Sequence, residues 1–304
     1  MPSNATFFIA GPTASGKSAL AVELAARVGG EIVNADAFQL YAGLDILTAK
    51  PSMEERARVP HHLYGVLPLT DTCDAQRFHD LAVPVIADIQ ARGKAPIVTG
   101  GSGLYLKALT HGLAPLPRGD ERMRAELRAR PLEDKVAELL RLDPEAAATV
   151  NLRNPRYVER ALEICLLSGE PQSRLRQSFA GAGTHVRGVV LDWERQALCA
   201  RIDARTRRMF GLGIVDEVAA AGELSATTEK AIGVREIRAL LAGQATLEQT
   251  VTAMQTATRQ YAKRQATWFR RERCFQTICL DSSSAADYPL ESALQVFHEG
   301  NPDS

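Results

Sequence analysis

The sequence predicts an α/β fold: a parallel sheet with helices on both faces, plus a helical insertion domain. Three observations predict it. A strand-like run, Thr6-Phe7-Phe8-Ile9-Ala10, leads directly into Gly11-Pro12-Thr13-Ala14-Ser15-Gly16-Lys17-Ser18 and then into a helical stretch. Further short apolar runs alternate with helical ones, the pattern of a parallel sheet wound on both sides. Between Asp120 and about Gln177 the pattern is helical only.

The first strand ends at a G-x-x-x-x-G-K-[ST] match, flanked by strand and helix as that motif requires, which makes the sheet P-loop NTPase-like. The helix runs from Ala19 to Val28 and stops at Gly29-Gly30. Glu31-Ile32-Val33-Asn34-Ala35 reads as the second strand and Ala95-Pro96-Ile97-Val98-Thr99 as a third. Gly100-Gly101-Ser102-Gly103 then turns into a helix from Leu104 to about Leu109. Pro115 and Pro117 mark a break. The helical segment beyond it has stops near Pro131, Pro144 and Asn154-Pro155, and Gly181-Ala182-Gly183 reads as a linker. Val186 to Asp192 returns as a strand. Helical stretches follow at Glu194–Met209 and Leu247–Arg271, then a last strand at Phe275–Leu280, a polar loop at Ser282–Ala286 and a frayed end after Gly300. The expected organisation is a core of residues 1–116 and 186–304 with an insertion at 117–185.

Composition bounds the function. The chain has 304 residues, 45% of them hydrophobic and 24% charged, ordinary values for a globular protein with a real core. No run approaches the roughly 20 apolar residues of a membrane span. Met1 to Phe8 lacks a basic region before an apolar stretch, so no signal peptide is expected. The cysteines, Cys73, Cys165, Cys199, Cys274 and Cys279, form no CxxC pair, which points away from a zinc site or a disulfide framework and towards a reducing cytoplasm. The 36 basic and 36 acidic residues balance. Their distribution is uneven: Arg259, Lys263, Arg264, Arg270, Arg271 and Arg273 face only Glu272, and Arg201, Arg205, Arg207 and Arg208 face only Asp203. Such patches suit a polyanion. A solvated helix face is the alternative reading.

Three motifs carry chemistry. In Gly11–Ser18 the glycines let backbone N–H groups converge on phosphate oxygens, the helix N-terminus adds partial positive charge, Lys17 adds a full one, and Ser18 can hold Mg²⁺. This establishes a phosphate or diphosphate ligand rather than ATP hydrolysis. Asp36 follows the second strand, at the sheet edge where ligands of open α/β sheets bind. It can act as a general base, hold Mg²⁺ through water, or simply cap a turn. Thr99-Gly100-Gly101-Ser102-Gly103-Leu104-Tyr105 permits close backbone approach to a ligand, or is a tight turn. His61-His62 are adjacent and point apart, which favours a structural or RNA-facing role over metal ligation. Trp268 and Phe269 can stack on bases or pack in the core.

In order and spacing these motifs resemble the tRNA dimethylallyltransferase family. The resemblance is carried by Gly11–Ser18, by Asp36 with Gln39-Leu40-Tyr41, by Asp45-Ile46-Leu47-Thr48-Ala49-Lys50-Pro51, by Val59-Pro60-His61-His62-Leu63 and by Thr99–Tyr105. It continues through Asn154–Glu163, Lys230–Glu236 and Thr258–Arg270, so it spans about residues 6 to 281. The last block is the most specific, since a plain P-loop kinase has no reason to carry it.

The resemblance implies transfer of a dimethylallyl group from dimethylallyl diphosphate to the exocyclic N6 of the adenine 3′ of the tRNA anticodon. It implies that Gly11, Pro12, Thr13, Ala14, Ser15, Gly16, Lys17 and Ser18 grip the diphosphate. Asp36, Lys17 and Ser102 form the implied catalytic set, with Asp36 taking a proton from the amine. Implied contacts to the tRNA anticodon stem-loop are Asp36, Ala37, Phe38 and Gln39; Ser102 and Arg124; Arg156, Tyr157, Val158, Glu159 and Arg160; Ala231, Ile232, Gly233, Val234, Arg235 and Glu236; and Lys263, Arg264, Gln265, Ala266, Thr267, Trp268, Phe269 and Arg270. Mg²⁺ is the implied cofactor, on Ser18, and a monomer is the expected state. The sequence departs from the family pattern at Ala37 (usually Ser), Ala42 (usually Arg), Leu47 (usually Gly), Ser102 (usually Thr) and Val234 (usually aromatic). Ala42 and Val234 bear on RNA contacts rather than on the reaction. Two rival readings stand beside this one. A P-loop kinase rests on Gly11–Ser18 alone. An isopentenyltransferase of free adenine nucleotides would need no RNA.

Overall fold

The computed structural model describes residues 5–177, 186–284 and 288–299. The expected linker Gly181-Ala182-Gly183, the end of the Ser282–Ala286 loop and the chain after Gly300 lie outside the described residues. The chain divides into two compact units, Met1–Thr110 with Thr184–Ser304, and His111–Gly183.

The first unit opens with β1 (Phe7–Ala10), α1 (Lys17–Val28), β2 (Glu31–Asn34), α2 (Met53–Arg58), β3 (His61–His62), α3 (Ala75–Ala91), β4 (Pro96–Gly100) and α4 (Gly103–His111). The second unit supplies α5 (Glu121–Arg128), α6 (Leu132–Leu142), α7 (Ala146–Thr149), α8 (Pro155–Ser168) and α9 (Gln172–Gln177). The first unit resumes with β5 (Arg187–Trp193), α10 (Arg195–Gly211), α11 (Ile214–Ala220), α12 (Val234–Leu241), α13 (Leu247–Phe269), β6 (Gln276–Leu280) and α14 (Tyr288–Glu299).

The sheet has six parallel strands in the order β3-β2-β4-β1-β5-β6. Successive side chains of a strand point to opposite faces, so a strand buried on both sides reads as a continuous apolar run. Phe8, Ala10, Val33, Val98 and Val190 pack on one face with Phe78, Ala82 and Ile89 of α3 and Leu106 of α4. Phe7, Ile9, Ile32, Ile97, Val189 and Leu191 pack on the other with α1 and with Ala293 and Phe297 of α14. β1, β2, β4 and β5 each feed both cores, and helices cover both.

Observed strands and helices start within two residues of the expected ones, as element ends generally do. Some elements carry no expectation from the sequence. The longest is α3, which contains Pro84, a residue that ordinarily breaks a helix interior. Burial of Phe78, Ala82 and Ile89 along one stripe holds the helix in spite of it. The edge strand β3 is two residues long, too short to show periodicity. No helix among the described residues is long and apolar enough to cross a membrane.

The second unit has its own core of Leu127, Leu139, Val158, Leu162 and Cys165. Its buried charges are paired, as buried charges must be. Lys135 Nζ donates to Glu159 at 2.6 Å. The buried Glu163 carboxylate accepts from Arg124 Nε at 2.8 Å, Arg160 Nη1 at 2.5 Å and the Asp120 amide at 2.9 Å.

In the first unit the adjacent histidines serve separate partners: His61 Nδ1 lies 2.8 Å from Val59 O, and His62 Nε2 lies 2.8 Å from Glu31 Oε2. Arg92 also pairs with Glu31 through both guanidinium nitrogens. The Arg92 hydrogen bonds outweigh the cost of burial and, with His62, hold the Glu31 carboxyl down at about 2 against an ordinary 4.5. A depressed carboxyl stabilises the fold above its unfolded pKa and loses that contribution as pH falls through the folded one. The thermal unfolding midpoint is therefore expected to fall between pH 5 and pH 2. Glu31→Gln, lower at neutral pH by about 2–3 kcal/mol, should flatten that slope. An equal slope in the variant would remove Glu31 from the account.

Candidate active site

The loop between β1 and α1 wraps around the helix N-terminus. Ala14 and Gly16 take left-handed φ values of 66° and 90°. Gly16 is the N-cap of α1 and offers no side-chain cap. The first N–H groups of a helix have no intrahelical acceptor, and the aligned peptide dipoles make that end positive. Loop and helix together form an anion cradle. Lys17 reaches Pro12 O at 3.5 Å. Burial lowers the Lys17 pKa, the Asp36 carboxylate acts to raise it, and Arg205 acts to lower it.

Side chains from distant parts of the chain hold this loop from outside. Trp193 Nε1 donates to Ser15 O at 2.8 Å, and Arg201 Nε donates to Ala14 O at 2.9 Å. Arg205 Nη2 donates to Thr13 Oγ1 at 2.7 Å. Gln265 accepts from the Thr13 amide at 2.9 Å and donates to Gly101 O at 2.9 Å. Two polar atoms here are buried without a partner, Ser15 Oγ and Arg205 Nε.

Asp36 leaves β2 on the same edge. Its amide donates to Asn34 Oδ1 at 2.8 Å, and its Oδ1 accepts from the Phe38 amide at 3.3 Å. The next amide, Ala37, donates to Ser102 Oγ at 2.9 Å, which joins the second and third motifs. Gly100 allows this: a Cβ there would lie 2.2 Å from Ala35 O. Burial, and then the nearby Asp36 carboxylate, push the phenols of Tyr64 and Tyr261 upward. Both stay neutral and add no charge beside Asp36.

Lys17, Asp36, Ser102 and Gln265 thus converge in one unit. Arg124 and Arg156–Arg160 belong to the other. Several expected RNA contacts are corrected by burial. Val158, Ala231, Val234, Gln265 and Phe269 are buried in their units' interiors: Val158, Val234, Gln265 and Phe269 on the inward stripes of their helices, and Ala231 in the turn before α12. Trp268 lies against Gly103, where a Cβ would sit 2.5 Å from its ring. It is a packing residue, as is Phe269. Gln39 Nε2 donates to Thr48 O at 2.9 Å and Ala49 O at 3.0 Å, so its amide nitrogen pins its own loop instead of facing a base. Arg124 and Arg160 share Glu163, and Glu159 holds Lys135. Arg259 pairs with Asp203 at 2.5 Å across α10 and α13. Ala37, Phe38, Ile232 and Ala266 are half-buried, while Arg156, Tyr157, Arg235, Lys263, Arg264, Thr267 and Arg270 are exposed. Glu236 accepts from the Gly233 amide at 3.0 Å and closes the start of α12.

The sequence reading assigns Arg201 and Arg205 only to a basic patch. Their spacing of four puts both on one face of α10, a face that Arg208 shares by its spacing of seven from Arg201 and that Arg207 does not. Trp193 has no such signal. The departures at Leu47 and Val234 meet in space, since both side chains pack in one cluster.

A doubly wound parallel sheet, with an anion cradle, a half-buried lysine and a carboxylate at one strand edge, defines a P-loop-like phosphate-handling protein. The comparisons with known proteins narrow this. The family model described as IPP transferase matches residues 39–272. The chain is 43% identical to the tRNA dimethylallyltransferase of Akkermansia muciniphila, over 97% of this chain and 99% of that one. It is 44% identical to the tRNA dimethylallyltransferase of Geobacter metallireducens, over 95% and 96%. The crystal structure of the full-length tRNA isopentenylpyrophosphate transferase of Bacillus halodurans superposes with TM-score 0.71 at 32% identity, covering 98% of each chain. A eukaryotic dimethylallyltransferase acting on tRNA superposes with TM-score 0.82 at 26% identity, covering 96% of this chain and 77% of that one. This chain belongs to the IPP transferase family.

The Gln265 bridge is the contact that joins the cradle to the Gly100–Gly103 turn. Gln265→Leu leaves the buried Thr13 amide and Gly101 carbonyl without partners, a loss of about 1–3 kcal/mol. Thermal melting should show a drop of several degrees, and an unchanged midpoint would mean that the bridge contributes nothing.

Proposed function

We propose that this chain transfers the dimethylallyl group of dimethylallyl diphosphate to the exocyclic N6 of the adenine 3′-adjacent to the anticodon in tRNA, releasing diphosphate. The observation that carries the reading is the gathering of Lys17 and Arg205 on the Gly11–Ser18 loop, where Arg205 Nη2 donates to Thr13 Oγ1 at 2.7 Å, with the Asp36 carboxylate within electrostatic reach of both.

An allylic diphosphate ionises readily because its cation is delocalised, so the barrier falls chiefly by stabilising the leaving diphosphate. The loop amides, the α1 N-terminus, Lys17 and Arg205 supply that stabilisation. The buried, unpartnered Ser15 hydroxyl and Arg205 Nε fit an oxyanion ligand. The aromatic amine attacks C1 of the allyl group as the C–O bond breaks, and its proton passes to the Asp36 carboxylate, a step worth about 10²–10⁴-fold. Ser102 holds the Ala37 amide and so fixes the turn that carries Asp36. The Ser18 hydroxyl is a hard oxygen donor of the kind magnesium takes. Mg²⁺ held there would supply charge neutralisation on the diphosphate.

The adenine leaves the loop stack to reach this edge, at a cost of a few kcal/mol. The exposed Arg156, Arg235, Lys263, Arg264 and Arg270 suit the phosphates of the anticodon stem. The helical unit is proposed to take part in that grip through Arg156 and Tyr157.

The direct test supplies labelled dimethylallyl diphosphate with unmodified tRNA, and with AMP and ATP in parallel. Label on tRNA alone is expected, whereas label on free nucleotides would overturn the acceptor. Asp36→Asn should lower kcat by at least about 100-fold with tRNA affinity nearly intact, and near-normal turnover would remove Asp36 from the base role. Lys263→Ala with Arg264→Ala should weaken tRNA binding and reduce its salt slope by about two. An unchanged slope would turn this face of α13 away from RNA.

A further inference from the structure

A loop that binds phosphate through its amides must keep its carbonyls pointing outward, and the chain has to hold them there. Ala14 makes this harder than usual. Its φ of 66° is left-handed, a conformation that a residue with a Cβ does not favour by itself. Two consecutive carbonyls of this loop, Ala14 O and Ser15 O, are each taken by one donor from outside. Both donors depend on one side chain. Trp193 Nε1 holds Ser15 O at 2.8 Å. The Arg201 guanidinium, whose Nε holds Ala14 O at 2.9 Å, lies 4.4 Å from the centre of the Trp193 ring. That is the geometry of a cation–π contact. Trp193 is in turn anchored, as the last residue of β5, opposite Leu280 of β6. Its ring packs with Ala14 beside Leu198, Ile202 and Ala262.

We infer that Trp193 is a positioning residue for the diphosphate. It sets the direction of the loop amides through two neighbouring carbonyls, one held by its own N–H and one by the arginine stacked on its face. The inference rests on the reading of Gly11–Ser18 as the diphosphate cradle. The Trp193 N–H is committed to Ser15 O and its face to Arg201, so its effect falls on the ligand that uses the loop amides.

Trp193→Phe keeps an aromatic face for Arg201 and for the cluster and removes only the N–H. Calorimetric titration of the ligand-free protein with inorganic pyrophosphate, magnesium present, should show affinity about three- to tenfold weaker. KM for dimethylallyl diphosphate should rise by the same factor, while KM for tRNA stays at the wild-type value. Trp193→Leu, which also removes the support of Arg201, should weaken pyrophosphate binding further. Melting of the ligand-free variants separates positioning from packing. Wild-type pyrophosphate affinity in Trp193→Phe overturns the inference. So does a parallel rise of both KM values with lost thermal stability, which is what a merely structural residue would give. Failure of the wild-type protein to bind pyrophosphate overturns the cradle reading itself, and is seen before any variant is made.

Discussion

The site depends on β1 being hydrogen-bonded along both edges. β4 and β5 flank it in parallel, with Ala10 opposite Gly100 on one side and Val190 on the other. Parallel neighbours end at the same edge of the sheet, so the segments after β1, β2, β4 and β5 emerge together. Those segments are the anion cradle, Asp36, Ser102 and the Trp193 end of β5. No two of them are close in sequence. The close approach of β2 and β4 needs Gly100, because any Cβ there would strike Ala35. Without that approach Ser102 could not reach the Ala37 amide.

The charges gathered at this edge act on one another. Lys17 and Arg205 are two cations in a desolvated place, and burial lowers the pKa of each, with their mutual repulsion adding to the shift of Lys17. Asp36 offsets part of that cost for both. Such a constellation stores positive potential for an anion while keeping a carboxylate within reach of it. The tyrosines beside Asp36 remain neutral. The helical unit uses charge differently. There Glu163 ties two arginines and a backbone amide into a structural node.

Much of the core was legible because a short local pattern determines it. Phe7 to Ala10 is apolar at every position, which marks a strand buried on both faces, and Gly11–Ser18 specifies its own turn. The N-terminus of α1 and the turn after Asn34 follow from neighbours in sequence. Other features gave no local sign. α3 carried no expectation from the sequence and has a proline inside it, and packing of Phe78, Ala82 and Ile89 holds it. Val234 and Phe269 look alike in sequence whether they face RNA or a core, and burial decides for the core. Gln39 could read a base by its chemistry, yet its amide nitrogen closes its own loop.

The sequence by itself determined the sheet class, the phosphate-binding turn, the lysine, the carboxylate and the family pattern, because each is written in residues adjacent along the chain. Tertiary structure decided what holds them in working order. Trp193, Arg201, Arg205 and Gln265 reach the cradle from some 180 to 250 positions away; helical spacing marks the two arginines as sharing a face, but no local sequence says which loop atom each side chain will meet. Hydrogen bonds are directional and short, so which donor meets which carbonyl is fixed only once the sheet has brought α10 and α13 over the loop.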